Sequence, residues 1–118
     1  MDLNGLTEPI VVTDCDLTGS SFSGAAMSNT RFEDTKMLAA GFDHVDLSDA
    51  VFSQVRLARS RFANLDMADI RIENATLAGG TIQNCSLSGV SISDCDLTGM
   101  IINGYLVSDL IAAYRKNP

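Results

Sequence analysis

Three cysteines and one histidine are the residues of this sequence best suited to nucleophilic or metal chemistry. A catalytic thiol needs a base such as histidine beside it, and a structural zinc ion needs about four converging thiolate or imidazole ligands. Cys15, His44, Cys85 and Cys95 are widely separated along the chain and belong to no nucleophile motif. They could act together only if the fold brought them together.

Aspartate gives the chain a second chemical possibility, a negatively charged interaction surface. The 15 Asp and Glu residues outnumber the 8 Lys and Arg residues, which leaves a net charge of −7 and a pI of about 4.3. Asp46, Asp49, Asp66 and Asp69 form two pairs that repeat after 20 residues, with no Lys or Arg inside either pair. Because nucleic acids and anionic membranes bind to basic surface, we expect the chain to bind neither of them directly.

A period of five residues positions all of these side chains. From Val12 to Ile102, every fifth residue is apolar, which gives 19 consecutive positions without an insertion or deletion. All five phenylalanines fall in this register. An α-helix repeats near 3.6 residues and a β-strand repeats at 2, so neither element alone explains a period of five.

The columns that flank each apolar position explain the period. Two residues before it the side chain is no larger than Val in 15 of 19 repeats, and two residues after it lies Gly, Asn or Asp in 15 of 19. The small residue and the apolar residue two positions later can both point inward, with the residue between them pointing outward, as in a short β-strand. The Gly, Asn or Asp that follows fits a turn. Four such pentads close a four-cornered coil of 20 residues, and stacked coils pair at about 4.8 Å. The sequence therefore predicts a parallel β-solenoid of four to five coils.

The coil has four faces, which we number in chain order. Face 1 is centred on Leu17 and every twentieth residue after it, face 2 on Phe22, face 3 on Met27, and face 4 on Val12 and Phe32. The four aspartates named above all fall on face 3. They are our candidate acidic interaction face.

In this coil the three cysteines occupy small inward positions but cannot meet. Cys15 and Cys95 lie four coils apart on one face, and Cys85 and Cys95 lie on opposite faces, beyond the roughly 7 Å that a disulfide allows. We expect buried free thiols that fill small core slots, and an exposed His44 at a corner. The sequence thus predicts no catalytic residue, no metal site and no cofactor, and we interpret the chain as non-enzymatic.

The pentads resemble the loose consensus A-(D/N)-L-x-x of the pentapeptide-repeat proteins, from residue 10 to residue 104. This resemblance implies the family fold, an all-β, right-handed quadrilateral parallel β-helix. The consensus Asp at the middle position occurs only at Asp16, Asp46, Asp66 and Asp96. Since that side chain points outward, we expect its scarcity to change surface chemistry rather than the fold.

Both ends of a solenoid need a cap. Residues 1–9 lie outside the register and are expected to form the N-terminal cap, while residues 105–118 are expected to form a helix and tail. Ser108 or Asp109 is the expected N-cap, and the helix is expected to cover the last coil. In the resembled family such helices also form dimer interfaces, so the chain is expected to be a monomer or a homodimer through its C-terminal end. The candidate cap or dimer residues are Leu106, Leu110, Ile111 and Tyr114.

Two functions remain open at this stage. The first is a scaffold or protein-interaction module with an unknown protein partner. The second follows from the resemblance: some family members are acidic DNA mimics that bind DNA gyrase, a type II topoisomerase, and protect it from quinolones. The absence of a basic, apolar leader and the three unpaired cysteines lead us to expect a cytoplasmic protein without a membrane span.

Overall fold

The computed structural model describes residues 11–24 and 26–116, in which short strands recur at intervals of ten residues. The chain ends in a helix, α1, which spans Val107–Lys116. No helix among these residues is long and apolar enough to cross a membrane. The strands are β1 (Val11–Thr13), β2 (Ser21–Ser23), β3 (Arg31–Glu33), β4 (Gly41–Asp43), β5 (Val51–Ser53), β6 (Arg61–Ala63), β7 (Arg71–Glu73), β8 (Thr81–Gln83), β9 (Ser91–Ser93), β10 (Ile101–Ile102) and β11 (Tyr105–Leu106).

Residues 20 apart in sequence are paired on all four faces. The odd strands β1 to β9 stack in parallel on face 4, and the even strands β2 to β10 stack in parallel on face 2. Single parallel bridges continue the ladders on face 1, from Asp16 to Asp96, and on face 3, from Ala26 to Ser86. The predicted parallel β-solenoid of four to five coils is therefore confirmed.

Two ladders of phenylalanine rings fill the centre of the coil. Phe22, Phe42 and Phe62 stack on face 2 with ring centroids 4.6 and 4.9 Å apart, and Phe32 and Phe52 stack on face 4 at 4.8 Å. The two ladders meet edge to face at 84°. All five rings are buried, and burial of each contributes about 1.5–3 kcal/mol. The core thus consists of the columns that the period of five predicted.

The corners are of two kinds, which alternate along the chain. Every fifth residue from Asp14 to Gly99 has a positive φ, between 51° and 75°. On faces 1 and 3 the corner is closed by a hydrogen bond, such as that from the Ser20 N–H to the Leu17 carbonyl at 3.0 Å. This bond and the positive φ at the third position define a type II turn. On all four faces the corner residue also donates its N–H to the next coil, as Gly19 does to Leu38 at 2.9 Å and Asp34 does to Ser53 at 3.1 Å. Within the described residues, the corners of faces 2 and 4 have this bond without the closing one.

The C-terminal segment differs from the expectation. The chain reverses into β11, which pairs antiparallel with β10, and α1 begins directly after it at Val107. Ser108 and Asp109 therefore lie in the first turn of the helix and are not its N-cap. Of the helix side chains that the structure describes, residues 107–113, only Val107 is buried, so this part of the helix covers little of the last coil. The expected N-terminal cap, residues 1–9, lies outside the described residues.

Candidate interaction surfaces

Face 3 brings the four predicted aspartates together. Asp46 is paired with Asp66 in the ladder, and the Asp49 N–H donates to the Ala68 carbonyl at 2.9 Å, which places Asp49 one coil before Asp69. The pentads of this face, residues 25–29, 45–49, 65–69 and 85–89, contain no Lys or Arg. Four carboxylates thus occupy two adjacent coils with no cation on the same face.

The aspartates at the middle position of the pentad also accept hydrogen bonds from the corner that follows them. Asp46 Oδ1 accepts hydrogen bonds from the N–H and the hydroxyl of Ser48, at 2.9 and 2.7 Å, and Asp66 Oδ1 accepts one from the Ala68 N–H at 3.0 Å. The scarcity of this Asp leaves the family fold intact, as expected, but where the Asp is present its carboxylate also hydrogen-bonds to the corner. The signal was present in the sequence, because the middle-position Asp occurs only on faces 1 and 3, where the corners are type II turns.

The equivalent carboxylates of face 1 titrate abnormally for the same reason. Hydrogen bonds from the side chain and backbone of Thr18 lower the pKa of Asp16 from its usual 3.8. Hydrogen bonds from Thr98 lower the pKa of Asp96 in the same way, and the Thr98 hydroxyl lies 2.7 Å from the Asp96 carboxylate. These bonds favour the ionised carboxylate, so both groups stay charged to a lower pH than an ordinary Asp.

The other two carboxylates of face 3 stand on left-handed corners. Asp49 and Asp69 each have a φ of 60°, a conformation that Asp tolerates better than most residues. A Cβ atom on residue 89 would overlap Asp69 Oδ1, so Gly89 gives the Asp69 carboxylate its space. The backbone therefore fixes where these two side chains leave the corner, and a neighbouring glycine leaves room for the Asp69 carboxylate.

The six cations of the coil fall into two groups that differ in pairing. On face 4, Arg31 contacts Glu33 at 2.6 Å and Arg71 contacts Glu73 at 2.8 Å, so these charges cancel within one strand. The other four lie on faces 1 and 2 and form no ion pair with the described residues; they are Lys36, Arg56, Arg59 and Arg61.

The C-terminal end is a separate, apolar surface. Leu110 and Ile111 of α1 are 47% and 41% exposed, and Tyr105 and Leu106 of β11 are also exposed. Leu106 thus belongs to β11 and not to the helix; Tyr114 lies in the helix, but its side chain is outside the described residues. Residues 79–108 carry only two charges, and the last-coil core residues Ile92, Leu97 and Ile102 are only partly buried.

The sequence matches the family model for the pentapeptide repeat region over residues 12–81. The chain belongs to the pentapeptide-repeat family. No curated protein gives a significant sequence match. Among solved structures it is similar to the pentapeptide repeat protein Rfr23 from the cyanobacterium Cyanothece 51142, with a TM-score of 0.58 and 15% identity over 85% of this chain and 86% of that one. It is also similar to a pentapeptide repeat protein from the Arabidopsis thaliana thylakoid lumen, with a TM-score of 0.59 and 25% identity over 86% of this chain and 68% of that one.

Within this pentapeptide-repeat fold the cysteines and the histidine remain apart. All three thiols are free, but Cys15 is exposed and Cys85 and Cys95 are only partly buried, so the expectation of buried thiols was wrong. The reason is that they lie in the first and last described coils, each of which has a described neighbour on one side only. His44 is exposed at a corner, as expected, and its Nδ1 lies 2.8 Å from Asp43. No cluster of three or more potential metal ligands occurs in the described ranges.

Proposed function

We propose that this pentapeptide-repeat protein is a non-enzymatic scaffold that binds a basic surface of a protein partner through face 3. The observation that carries the proposal is the set of four carboxylates in two adjacent coils, without a cation on the same face. Opposite charge on a partner steers encounter and fixes the register of the complex.

The rigidity of face 3 supports this proposal. Asp46 and Asp66 are held by hydrogen bonds to their own corners, and Asp49 and Asp69 stand on a left-handed backbone. Little conformational freedom is then lost when the Asp46 and Asp66 carboxylates meet a partner, and preorganised groups bind more tightly than flexible ones. Because the pairs would form at an exposed surface, we expect binding to weaken as salt is added.

The experiment compares capture of partners from the source cells by the natural chain and three variants of the full chain. In the face 3 variant Asp46, Asp49, Asp66 and Asp69 are changed to Asn, which can still accept the corner hydrogen bonds and adopt a left-handed φ. In a pair of matched double variants, Asp49→Asn/Asp69→Asn is compared with Asp14→Asn/Asp34→Asn. Asp14 and Asp34 are also stacked corner residues with positive φ, but they lie at the edge of face 4.

We expect one protein to be captured reproducibly by the natural chain and by Asp14→Asn/Asp34→Asn. The face 3 variant should lose it, and Asp49→Asn/Asp69→Asn should bind it more weakly. Circular dichroism checks that all variants remain folded. Equal capture by the natural chain and the face 3 variant would contradict the role of face 3.

A second candidate function is that of an acidic DNA mimic that binds DNA gyrase or another type II topoisomerase. It is favoured by the shape that carries the carboxylates, a rod of 43 × 24 × 19 Å with charges repeated at the strand spacing along its axis. A supercoiling assay with purified gyrase, with and without a fluoroquinolone, tests it. We expect the natural chain to inhibit supercoiling or relieve drug inhibition, and the face 3 variant to do neither. No effect of the natural chain at micromolar concentration excludes this function.

We further propose that the C-terminal end binds a second copy of the chain. Depletion of charge together with exposed Leu and Ile side chains is typical of the centre of a protein interface. β11 covers the edge of the face 2 sheet at this end. β9 remains the edge strand of the face 4 sheet, so that sheet has an uncovered edge here within the described residues. Light scattering should give twice the 12.6 kDa chain mass for the natural protein and the single mass for Leu110→Ser/Ile111→Ser. A natural chain that stays monomeric at about 100 μM would contradict this proposal.

We also propose a cytoplasmic location, because free cysteines such as the exposed Cys15 persist in a reducing compartment. Fractionation of the source cells with an antibody against the chain tests this location. Recovery outside the cytoplasmic fraction would contradict it.

A further inference from the structure

A cluster of four cations that form no ion pair with the described residues lies on the side of the rod opposite to face 3. It consists of Lys36, Arg56 and Arg59 on face 1, with Arg61 just beyond the next corner. Lys36 has Asp16 beside it in the ladder. The three arginines have no acidic residue at the equivalent position of the coil before or the coil after. These neighbours are Lys36 and Thr76 for Arg56, Ala39 and Gly79 for Arg59, and Gly41 and Thr81 for Arg61.

The repeat places this cluster and the acidic face at matching positions. Faces 1 and 3 are half a coil, or ten residues, apart, so Arg56 and Arg59 occupy the same places in their pentads as Asp66 and Asp69. The chain runs in opposite directions along opposite faces. A second copy moved sideways without rotation therefore brings Arg56 opposite Asp69 and Arg59 opposite Asp66.

The same translation brings Lys36 opposite Asp49. The two residues of each pair are 7 or 13 positions apart in sequence, and 20 positions advance the coil by one strand spacing of about 4.8 Å. The two residues of a pair are therefore offset along the rod axis by about 3 Å or less. Lys and Arg side chains are long enough to bridge such an offset, and the arginines present a fork that suits a carboxylate. Three charge pairs can form at once because both faces are built on the same coil spacing.

We propose that face 1 of one copy binds face 3 of another, so that the rods associate side by side with parallel axes. This contact is heterologous, because the two faces differ, and it leaves one free face on each side of the pair. It therefore extends to trimers and longer arrays. Exposed ion pairs are individually weak and the net charge of −7 opposes association, so we expect the assembly only at low ionic strength and high protein concentration.

Sedimentation velocity of the full chain tests this proposal over a range of protein concentrations. At about 20 mM ionic strength, where the Debye length exceeds 20 Å, the average sedimentation coefficient should rise with concentration up to about 200 μM. At about 300 mM it should stay constant. We use Leu110→Ser/Ile111→Ser as the background, so that association through the C-terminal end does not contribute.

Two variants with the same change of net charge separate a specific contact from a general charge effect. Asp66→Asn/Asp69→Asn should abolish the rise with concentration, while Asp14→Asn/Asp34→Asn should keep it. Arg56→Glu/Arg59→Glu and Asp66→Lys/Asp69→Lys should each stay monomeric alone and should associate when mixed, since each supplies the face that the other lacks.

Three results would overturn the proposal. The first is a monomeric natural chain at low ionic strength. The second is an equal loss of association in both Asp→Asn variants, which would indicate net charge alone. The third is binding of poly-glutamate by the natural chain without self-association, which would assign face 1 to a different acidic partner.

Discussion

At the scale of single residues, two hydroxyls in the same kind of core position behave differently. Ser60 is buried, and its hydroxyl donates to the Met37 carbonyl at 2.9 Å and accepts from the Ala40 N–H at 3.2 Å. Thr30 is equally buried, but its hydroxyl finds no hydrogen-bond partner within residues 11–24 and 26–116. A buried polar group without a partner costs about 1–3 kcal/mol.

We therefore predict opposite effects for two similar substitutions. Thr30→Val keeps the shape of the side chain and removes the unpaired hydroxyl, so it should raise the free energy of unfolding by about 1 kcal/mol. Ser60→Ala removes two hydrogen bonds and should lower it by about 1 kcal/mol. Urea unfolding followed by circular dichroism measures both. A destabilised Thr30→Val would show that the hydroxyl has a partner, such as a buried water molecule.

The lowered pKa of Asp96 predicts how stability depends on pH. A carboxyl whose pKa is lower in the folded state stabilises the fold fully above its unfolded pKa, near 3.8, and loses this effect as pH falls through the folded value. The natural chain should therefore lose more stability than Asp96→Asn between pH 7 and about pH 2.5. Urea midpoints at both pH values measure this difference.

Asp94→Asn is the control for this measurement, because it removes a charge from a nearby corner residue. Its loss of stability on acidification should exceed that of Asp96→Asn. Identical losses in the natural chain and in Asp96→Asn would contradict the role of the Thr98 hydrogen bonds.

At the scale of the element, the corner is the unit that decides whether a pentad folds. A left-handed backbone costs about 1–2 kcal/mol for a residue with a Cβ atom and little for glycine. The column that follows face 1 contains Ala39, Arg59, Gly79 and Gly99, all with positive φ. The same left-handed backbone is thus adopted by residues that tolerate it to different degrees. At residues such as Ala39, contacts with the coils on either side offset the cost of this backbone.

This column supplies a reciprocal test. Ala39→Gly should stabilise the chain by about 0.5–1 kcal/mol, because relief of the left-handed strain exceeds the entropic cost of glycine. Gly99→Ala should destabilise it by about 1 kcal/mol, and it has room, since its new Cβ would lie 3.8 Å from the nearest described atom, the Gly79 nitrogen. Thermal unfolding measures both changes. Effects of the same sign would mean that φ does not govern this column.

At the scale of the whole molecule, the unit that can be removed is a complete coil. Deletion of residues 61–80 joins Ser60 to Thr81, keeps every face in place and stacks Phe42 on Ile82. Deletion of residues 61–65 instead moves all later pentads back by one face and places type II corners where corners without the closing hydrogen bond belong. Because a solenoid is stabilised mainly by contacts between neighbouring coils, the first deletion removes about one coil interface and the second disrupts several.

We predict that the 20-residue deletion folds cooperatively with a moderately lower melting temperature. The five-residue deletion should melt at a much lower temperature or without a cooperative transition. Circular dichroism during heating distinguishes the two. Equal stability of the two deletions would show that the alternation of corner types is not required.

The sequence by itself determined the coil, its faces and its core. Local alternation and the tolerance of Gly, Asn and Asp for left-handed backbone act within one pentad, and stacking at 20 residues follows from four corners. The same arithmetic placed Asp46, Asp49, Asp66 and Asp69 on one face. These features could be predicted because each depends on residues close in sequence or at a fixed interval.

Only the tertiary structure decided what happens at the ends and between the faces. The period of five does not specify that corners alternate between two hydrogen-bonding patterns, since Gly, Asn and Asp occur at the positive φ of both kinds. It also does not specify that the chain reverses into β11 before α1 begins, or that Cys15 is exposed. Those features depend on which backbone groups and side chains lack a neighbouring coil, and that is a property of the finite stack rather than of its repeat.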